Sequence, residues 1–120
     1  MPARLTEIVV DAAQPDRLAA FWCEVLGWRP TGRYEGPVEI ADPEGGRPTL
    51  VFVPVAEAKA GKNRLHLDLN PVGCSQVEEA ERLIGLGARR IDVGQGEVDW
   101  IVLADPEGNE FCLLRPPLFS

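Results

Sequence analysis

Apolar residues along this chain recur at two spacings, and the spacings alternate in a regular order. Leu18, Phe21, Trp22, Val25 and Leu26 fall three and four apart, the stripe of a helix with one buried face. Pro15 suits the first turn of that helix because its missing N–H is not needed there, and Gly27 suits the cap at its end. A second helix opens on Ser75 with Glu78 three residues later, a capping-box spacing, and runs to Leu86 before Gly87. Elsewhere the period is two. Leu65, Leu67 and Leu69 alternate with His66, Asp68 and Asn70, as in a strand with one face covered. Strands are expected over Arg4 to Ala12, Arg29 to Tyr34, Val38 to Ala41, Leu50 to Val55, Arg64 to Asn70, Arg89 to Val93, Trp100 to Ala104 and Glu110 to Leu114.

The pattern is one unit written twice. "RLTEIVVDA" resembles "RLHLDLNPV", Leu26-Gly27 answers Leu86-Gly87, and ADPEG occurs at Ala41 to Gly45 and again at Ala104 to Gly108. The spacing to the second ADPEG is three residues longer than to the first. Each unit reads β-α-β-β-β, over about 4–55 and 63–115, joined by the exposed linker "PVAEAKAGKN". ADPEG fits a type I turn, with Asp at the first position, Pro at the second and Gly at the fourth. Its carboxylates are therefore turn chemistry rather than an acid/base set.

Composition removes several function classes. The chain has 120 residues and a net charge of −7, with no run of Lys or Arg, so nucleic acid meets net repulsion. No stretch reaches the about 20 apolar residues that a membrane span needs, and the N-terminus lacks a signal-peptide layout. A cytoplasmic protein is expected. Cys23, Cys74 and Cys112 are odd in number and without C-x-x-C spacing, which argues against a disulfide framework and a zinc knuckle.

The paired plan, with "AAFWCEVLGW", "NRLHLDL" and "DPEGNEFCLL" in order, resembles the vicinal oxygen chelate superfamily, which holds glyoxalase I, bleomycin-resistance proteins and extradiol dioxygenases. The wording is closest to its glyoxalase-like small proteins. The resemblance implies an α+β fold in which two tandem βαβββ units form a curved mixed sheet around a cavity. It also implies association as a homodimer. Metal-dependent members carry ligands on the first and last strands of each unit. On this sequence those positions are Glu7 and His66 on the first strands and Cys112 on the final one. The fourth falls near Phe52, where there is no ligand.

Imidazole, carboxylate and thiolate suit zinc or iron with a position left open, and nickel and manganese are further candidates. Each residue also has a plainer reading. Cys112 lies within the apolar "FCLL", where cysteine is commonly a small buried hydrophobe. A histidine beside leucines is commonly a hydrogen-bonded structural group. Glu7 stands among Leu5, Ile8, Val9 and Val10, where a carboxylate must be solvated or paired. Without a metal, Glu7 and His66 form a candidate acid/base pair. Phe52, Asp68, Trp100 and Glu110 are candidate ligand-binding residues. "GQGEVD", before Trp100, leads into a strand and so does not match a phosphate-binding loop. Three functions follow: a small-molecule-binding domain, a metal-dependent lyase, isomerase or dioxygenase, and an accessory module with an unused cavity.

Overall fold

Two kinds of local signal, helix caps and Asp-Pro turns, decide where the elements begin and end. The computed structural model describes residues 2–33, 36–92, 94, 96 and 98–116. Its elements are β1 (Glu7–Ala12), α1 (Pro15–Leu26), β2 (Arg29–Arg33), β3 (Val38–Ala41) and β4 (Thr49–Pro54), then β5 (Leu67–Leu69), α2 (Gln76–Leu86), β6 (Arg89–Arg90), β7 (Ile101–Ala104) and β8 (Glu110–Leu113). The chain divides between Ala58 and Lys59 into two compact units. Each has a four-stranded mixed sheet, ordered β1-β4-β3-β2 in unit 1 and β5-β8-β7-β6 in unit 2. The first and last strands of each unit pair in parallel, and the others are antiparallel.

The helices keep their expected limits. Pro15 opens α1, and Gly27 closes it in the left-handed region at φ 70°, its N–H bonded to Cys23 O at 2.8 Å. Leu18, Phe21, Trp22 and Val25 are buried, and α1 packs on β3 and β4. In α2 the Glu78 N–H donates to Ser75 Oγ at 3.1 Å, while the Ser75 N–H donates to the Glu78 carboxylate at 2.9 Å. Two of the helix's unpaired N-terminal donors are thereby satisfied.

Both ADPEG segments are turns. Gly45 N–H reaches Asp42 O at 2.9 Å, and Gly108 N–H reaches Asp105 O at 2.8 Å. In each, the aspartate side chain accepts from the amide two residues on, Glu44 at 3.0 Å and Glu107 at 2.9 Å.

Strand ends differ from expectation. β1 starts at Glu7 instead of Arg4, and β5 shrinks to Leu67–Leu69, leaving Arg64 to His66 outside it. β5 is an edge strand with β8 as its single partner, and it stops one residue short of pairing His66 with Glu110, whose side chain is bonded by the Asn63 N–H instead. Tyr34 and Val93, expected at strand ends, lie outside the described residues, as do Gln95 and Glu97 of "GQGEVD".

Strand pairing also fixes how the units correspond. Ile40 and Leu103 both precede the alanine of ADPEG, and they face Leu50 and Phe111 respectively. Val51 therefore corresponds to Cys112, and Thr49 to Glu110. Across the parallel pairs, Val51 faces Val9 and Cys112 faces Asp68. Val9 thus corresponds to Asp68, and Glu7 to His66.

Candidate functional site in unit 2

In β5, Leu67 and Leu69 are half-buried while Asp68 between them is exposed, so period-two alternation puts Asp68 on the exposed side of this edge strand. His66, two residues earlier, shares that side. Parallel pairing then sets Cys112 of β8 directly across from Asp68. His66 Nδ1 lies 3.0 Å from Asp68 Oδ1. One ligand atom from each of His66, Asp68 and Cys112 lies within 4.8 Å of the others. Among the described residues this is the one grouping of three such donors.

The trio has a graded exposure. The side chains of His66 and Asp68 are 47% and 49% accessible, while Cys112 is 8% accessible. Two donors therefore face solvent over a thiol floor. Burial pushes the Cys112 thiol above its ordinary range, and the charge of Asp68 adds to this. Lys62 opposes the shift, and the hydrogen bond from the thiol to Asp68 reinforces it. At rest the group is a protonated thiol, a weak nucleophile. Asp68 is the hub: its carboxylate accepts from the thiol and lies within 3.0 Å of the imidazole Nδ1.

Glu110, a candidate ligand-binding residue, has its carboxylate committed within unit 2. It shares a side of β8 with Cys112, but it is buried and already engaged. Lys59 Nζ lies 2.6 Å from Oε1, and the Asn63 N–H donates to Oε2 at 2.8 Å. Asn63 Nδ2 donates to the Glu110 carbonyl at 3.4 Å, and Lys59 also donates to the Gly61 carbonyl. Burial opposes ionisation of Glu110, but the bonds from Lys59, Asn63 and its own N–H, with the Lys59 charge, outweigh it. The carboxyl is held below its usual range, and its work is to fasten residues 59–63 onto β8.

Phe52, the candidate lining residue of unit 1, lies in the core. Its ring is fully buried in unit 1, in register with Val10 and Val38 on the side that α1 covers. It is core, contributing about 2 to 3 kcal/mol by burial, and not a cavity wall.

The other candidates fall as follows. Trp100 is 41% exposed just before β7. Gln76 Nε2 holds the adjoining Asp99 carbonyl at 2.9 Å and the Leu113 carbonyl at 3.0 Å. Trp100 thus presents an aromatic surface on a fastened backbone. Glu7 is exposed on β1 of unit 1. On its side of that sheet, Val9 and Val51 stand where unit 2 has Asp68 and Cys112, so unit 1 has no equivalent donor trio. It carries a different network, in which Glu39 accepts from Thr31 Oγ1 at 2.7 Å and Thr49 Oγ1 at 3.1 Å. Sequence reasoning missed that network, and it missed Asp68 as a donor beside the thiol. The usable signal for Asp68 was that it shares a face with His66 in the alternation with Leu65, Leu67 and Leu69.

The profile of the glyoxalase-like domain matches residues 7–114. No curated protein sequence matches the chain significantly. Among solved structures, a glyoxalase/bleomycin resistance protein/dioxygenase family enzyme from Burkholderia phytofirmans PsJN superposes with a TM-score of 0.72 at 18% identity, covering 92% of this chain and 97% of that one. The fosfomycin resistance protein FosX from Mesorhizobium loti gives 0.71 at 15% identity, covering 98% and 95%. FosX from Listeria monocytogenes, in complex with Mn(II) and 1S,2S-dihydroxypropylphosphonic acid, gives 0.70 at 15% identity, covering 98% and 94%. A profile match over nearly the whole chain, on paired βαβββ units, means that the chain belongs to the glyoxalase-like domain family of the vicinal oxygen chelate superfamily.

Proposed function

We propose that the chain binds a small molecule at the β5 edge of the unit 2 sheet, with His66, Asp68 and Cys112 as its polar anchor. The convergence of those three groups within 4.8 Å carries the reading. Small-molecule sites combine a few placed polar groups with apolar and aromatic surface, and Trp100 is an exposed ring in the same unit. The resemblance adds a homodimer in a cytoplasmic setting to this proposal. No helix among the described residues is long and apolar enough to cross a membrane.

The same cluster favours a second reading, a metal-dependent enzyme. The donor chemistry fits: one imidazole nitrogen, one carboxylate oxygen and one sulfur, with two donors open to solvent as an entry path. A divalent ion there supplies Lewis-acid polarisation of an oxygen-bearing substrate, and three protein donors leave it a free position. Asp68 orients the His66 ring, and Cys112 closes the floor of the site. The Mn(II) complex of the Listeria monocytogenes protein supports metal use within this fold.

The test is metal analysis of protein purified without chelator, combined with a tryptophan-fluorescence screen of oxygen-bearing small molecules. Stoichiometric metal that disappears in His66→Ala supports the enzyme reading. No bound metal and no thermal shift on adding zinc, iron, nickel or manganese removes it. Ligand-dependent quenching that Trp100→Phe abolishes supports binding beside Trp100, and a screen without any quenching or stabilisation counts against a small-molecule site.

A further inference from the structure

We propose that the unit 2 cluster selects thiophilic divalent cations of the zinc and cobalt kind over oxygen-seeking manganese, magnesium and calcium, with Asp68 as a direct donor. The inference rests on the metal reading above and names the class of ion. Two observations carry it. First, the floor of the site is a sulfur, set by strand register opposite Asp68. Magnesium and calcium take oxygen ligands, six or more for calcium, whereas zinc accepts sulfur and nitrogen in a four-coordinate site.

Second, the neighbouring carboxylate is already committed. Glu110 is the carboxylate on the same side of β8, and its oxygens are held by Lys59 and the Asn63 amide. Asn70 Nδ2 donates to the Arg115 carbonyl at 2.9 Å, which ties that side chain to the segment after β8, and its oxygen is neutral. A hard cation would find one carboxylate, from Asp68, and no second one to complete an oxygen shell. A thiophilic cation needs no more than the trio and a water or ligand oxygen.

Donor separations are compatible with this. Ligand atoms around a four-coordinate zinc are about 3.5 Å apart, given zinc–sulfur and zinc–nitrogen bonds of about 2.3 and 2.0 Å. The trio spans up to 4.8 Å, so closure by about 1 Å is required. His66 and Asp68 can supply it because both side chains are half-exposed, while Cys112 stays fixed in β8. Coordination releases the thiol proton to solvent as the metal–sulfur bond forms.

Titration of the chelator-treated whole chain with cobalt(II) tests this through absorption. A near-ultraviolet sulfur-to-cobalt charge-transfer band is expected, with visible bands of four-coordinate intensity. Equimolar zinc should bleach them, and about a hundredfold excess of manganese or magnesium should not. Asp68→Asn should weaken cobalt binding tenfold or more while leaving the charge-transfer band visible at saturation. The wild-type spectrum is itself the readout, so the result does not depend on a Cys112 variant folding. Cobalt bound without a sulfur band, or displaced by equimolar manganese, overturns the selectivity and leaves the metal reading standing. Unchanged affinity in Asp68→Asn removes Asp68 as a donor. No cobalt binding at all overturns both this inference and the metal reading.

Discussion

Asp68 and Cys112 face one another across the β5–β8 ladder, and the carboxylate helps burial to keep the thiol protonated. One residue pair thus decides both the face that carries chemistry and the resting state of its sulfur.

Replacing Asp68 with Asn removes the neighbouring charge while burial remains. The Cys112 thiol should then move down toward its ordinary range, and its alkylation at mildly alkaline pH should accelerate several-fold in a chain whose Cys23 and Cys74 are serine. In the native chain the folded thiol lies above its unfolded value. Its stabilising contribution is full below the unfolded value and is lost as pH rises through the folded one. Asp68→Asn should narrow that alkaline loss, as read by urea midpoints against pH. An alkylation rate unchanged by the substitution would contradict the pairing.

Glu110 predicts the opposite limb. Its folded carboxyl is lowered, so its contribution is present above the unfolded carboxylate range and is lost as pH falls through the folded value. Glu110→Gln should flatten this acid loss and cost about 2 kcal/mol at neutral pH, the worth of a charge-assisted bond. Denaturant midpoints of the variant and the native chain between neutral and acid pH give the comparison. Equal acid slopes would show that the Lys59 and Asn63 contacts are not formed in solution.

Ser75→Ala should cost about 1 kcal/mol, because one reciprocal partner of the α2 cap disappears. Ser75→Asp keeps an acceptor for the Glu78 amide and should cost much less. Urea unfolding of the two variants side by side separates loss of the cap from simple intolerance of change.

Strand pairing makes a constructive prediction for unit 1. Glu7→His, Val9→Asp and Val51→Cys together copy the unit 2 trio onto corresponding positions. If cobalt binds the native chain, the triple variant should double the cobalt held per chain, with a second sulfur band of similar strength. Unchanged stoichiometry in a folded variant would show that the two faces are not equivalent.

Helix limits and turns were legible because each is set by residues adjacent in sequence. Pro15 and Gly27 bound α1, Ser75 and Glu78 open α2, and Asp42 and Asp105 shape their own turns. Strand correspondence was not legible in the same way. Matching Arg4-Leu5 to Arg64-Leu65 sets Thr6 against His66, but both leucines lie outside the strands and are exposed. Pairing instead sets Glu7 against His66, the two positions that the resemblance had matched on the first strands. Phe52 was misread for a related reason. Which way a strand residue faces depends on the partner strand and on hairpin length, neither of which its neighbours reveal. The donor trio was half visible: alternation placed His66 and Asp68 on one side, while the partner that brought Cys112 beside Asp68 lay more than forty residues away.

Nine residues separate Ile40 from Leu50, and seven separate Leu103 from Phe111, although both connections begin with the same five letters. The difference is even, and parity matters in a sheet whose side chains alternate. Adding two residues to a hairpin slides one strand by a full pleat and returns every side chain to its original side, whereas adding one turns the strand inside out. Length changes in these hairpins are therefore quiet only in pairs. A single-residue deletion in the Asn109 turn would carry Cys112 toward the core and Phe111 into water, and the donor trio would be lost without any donor having been replaced.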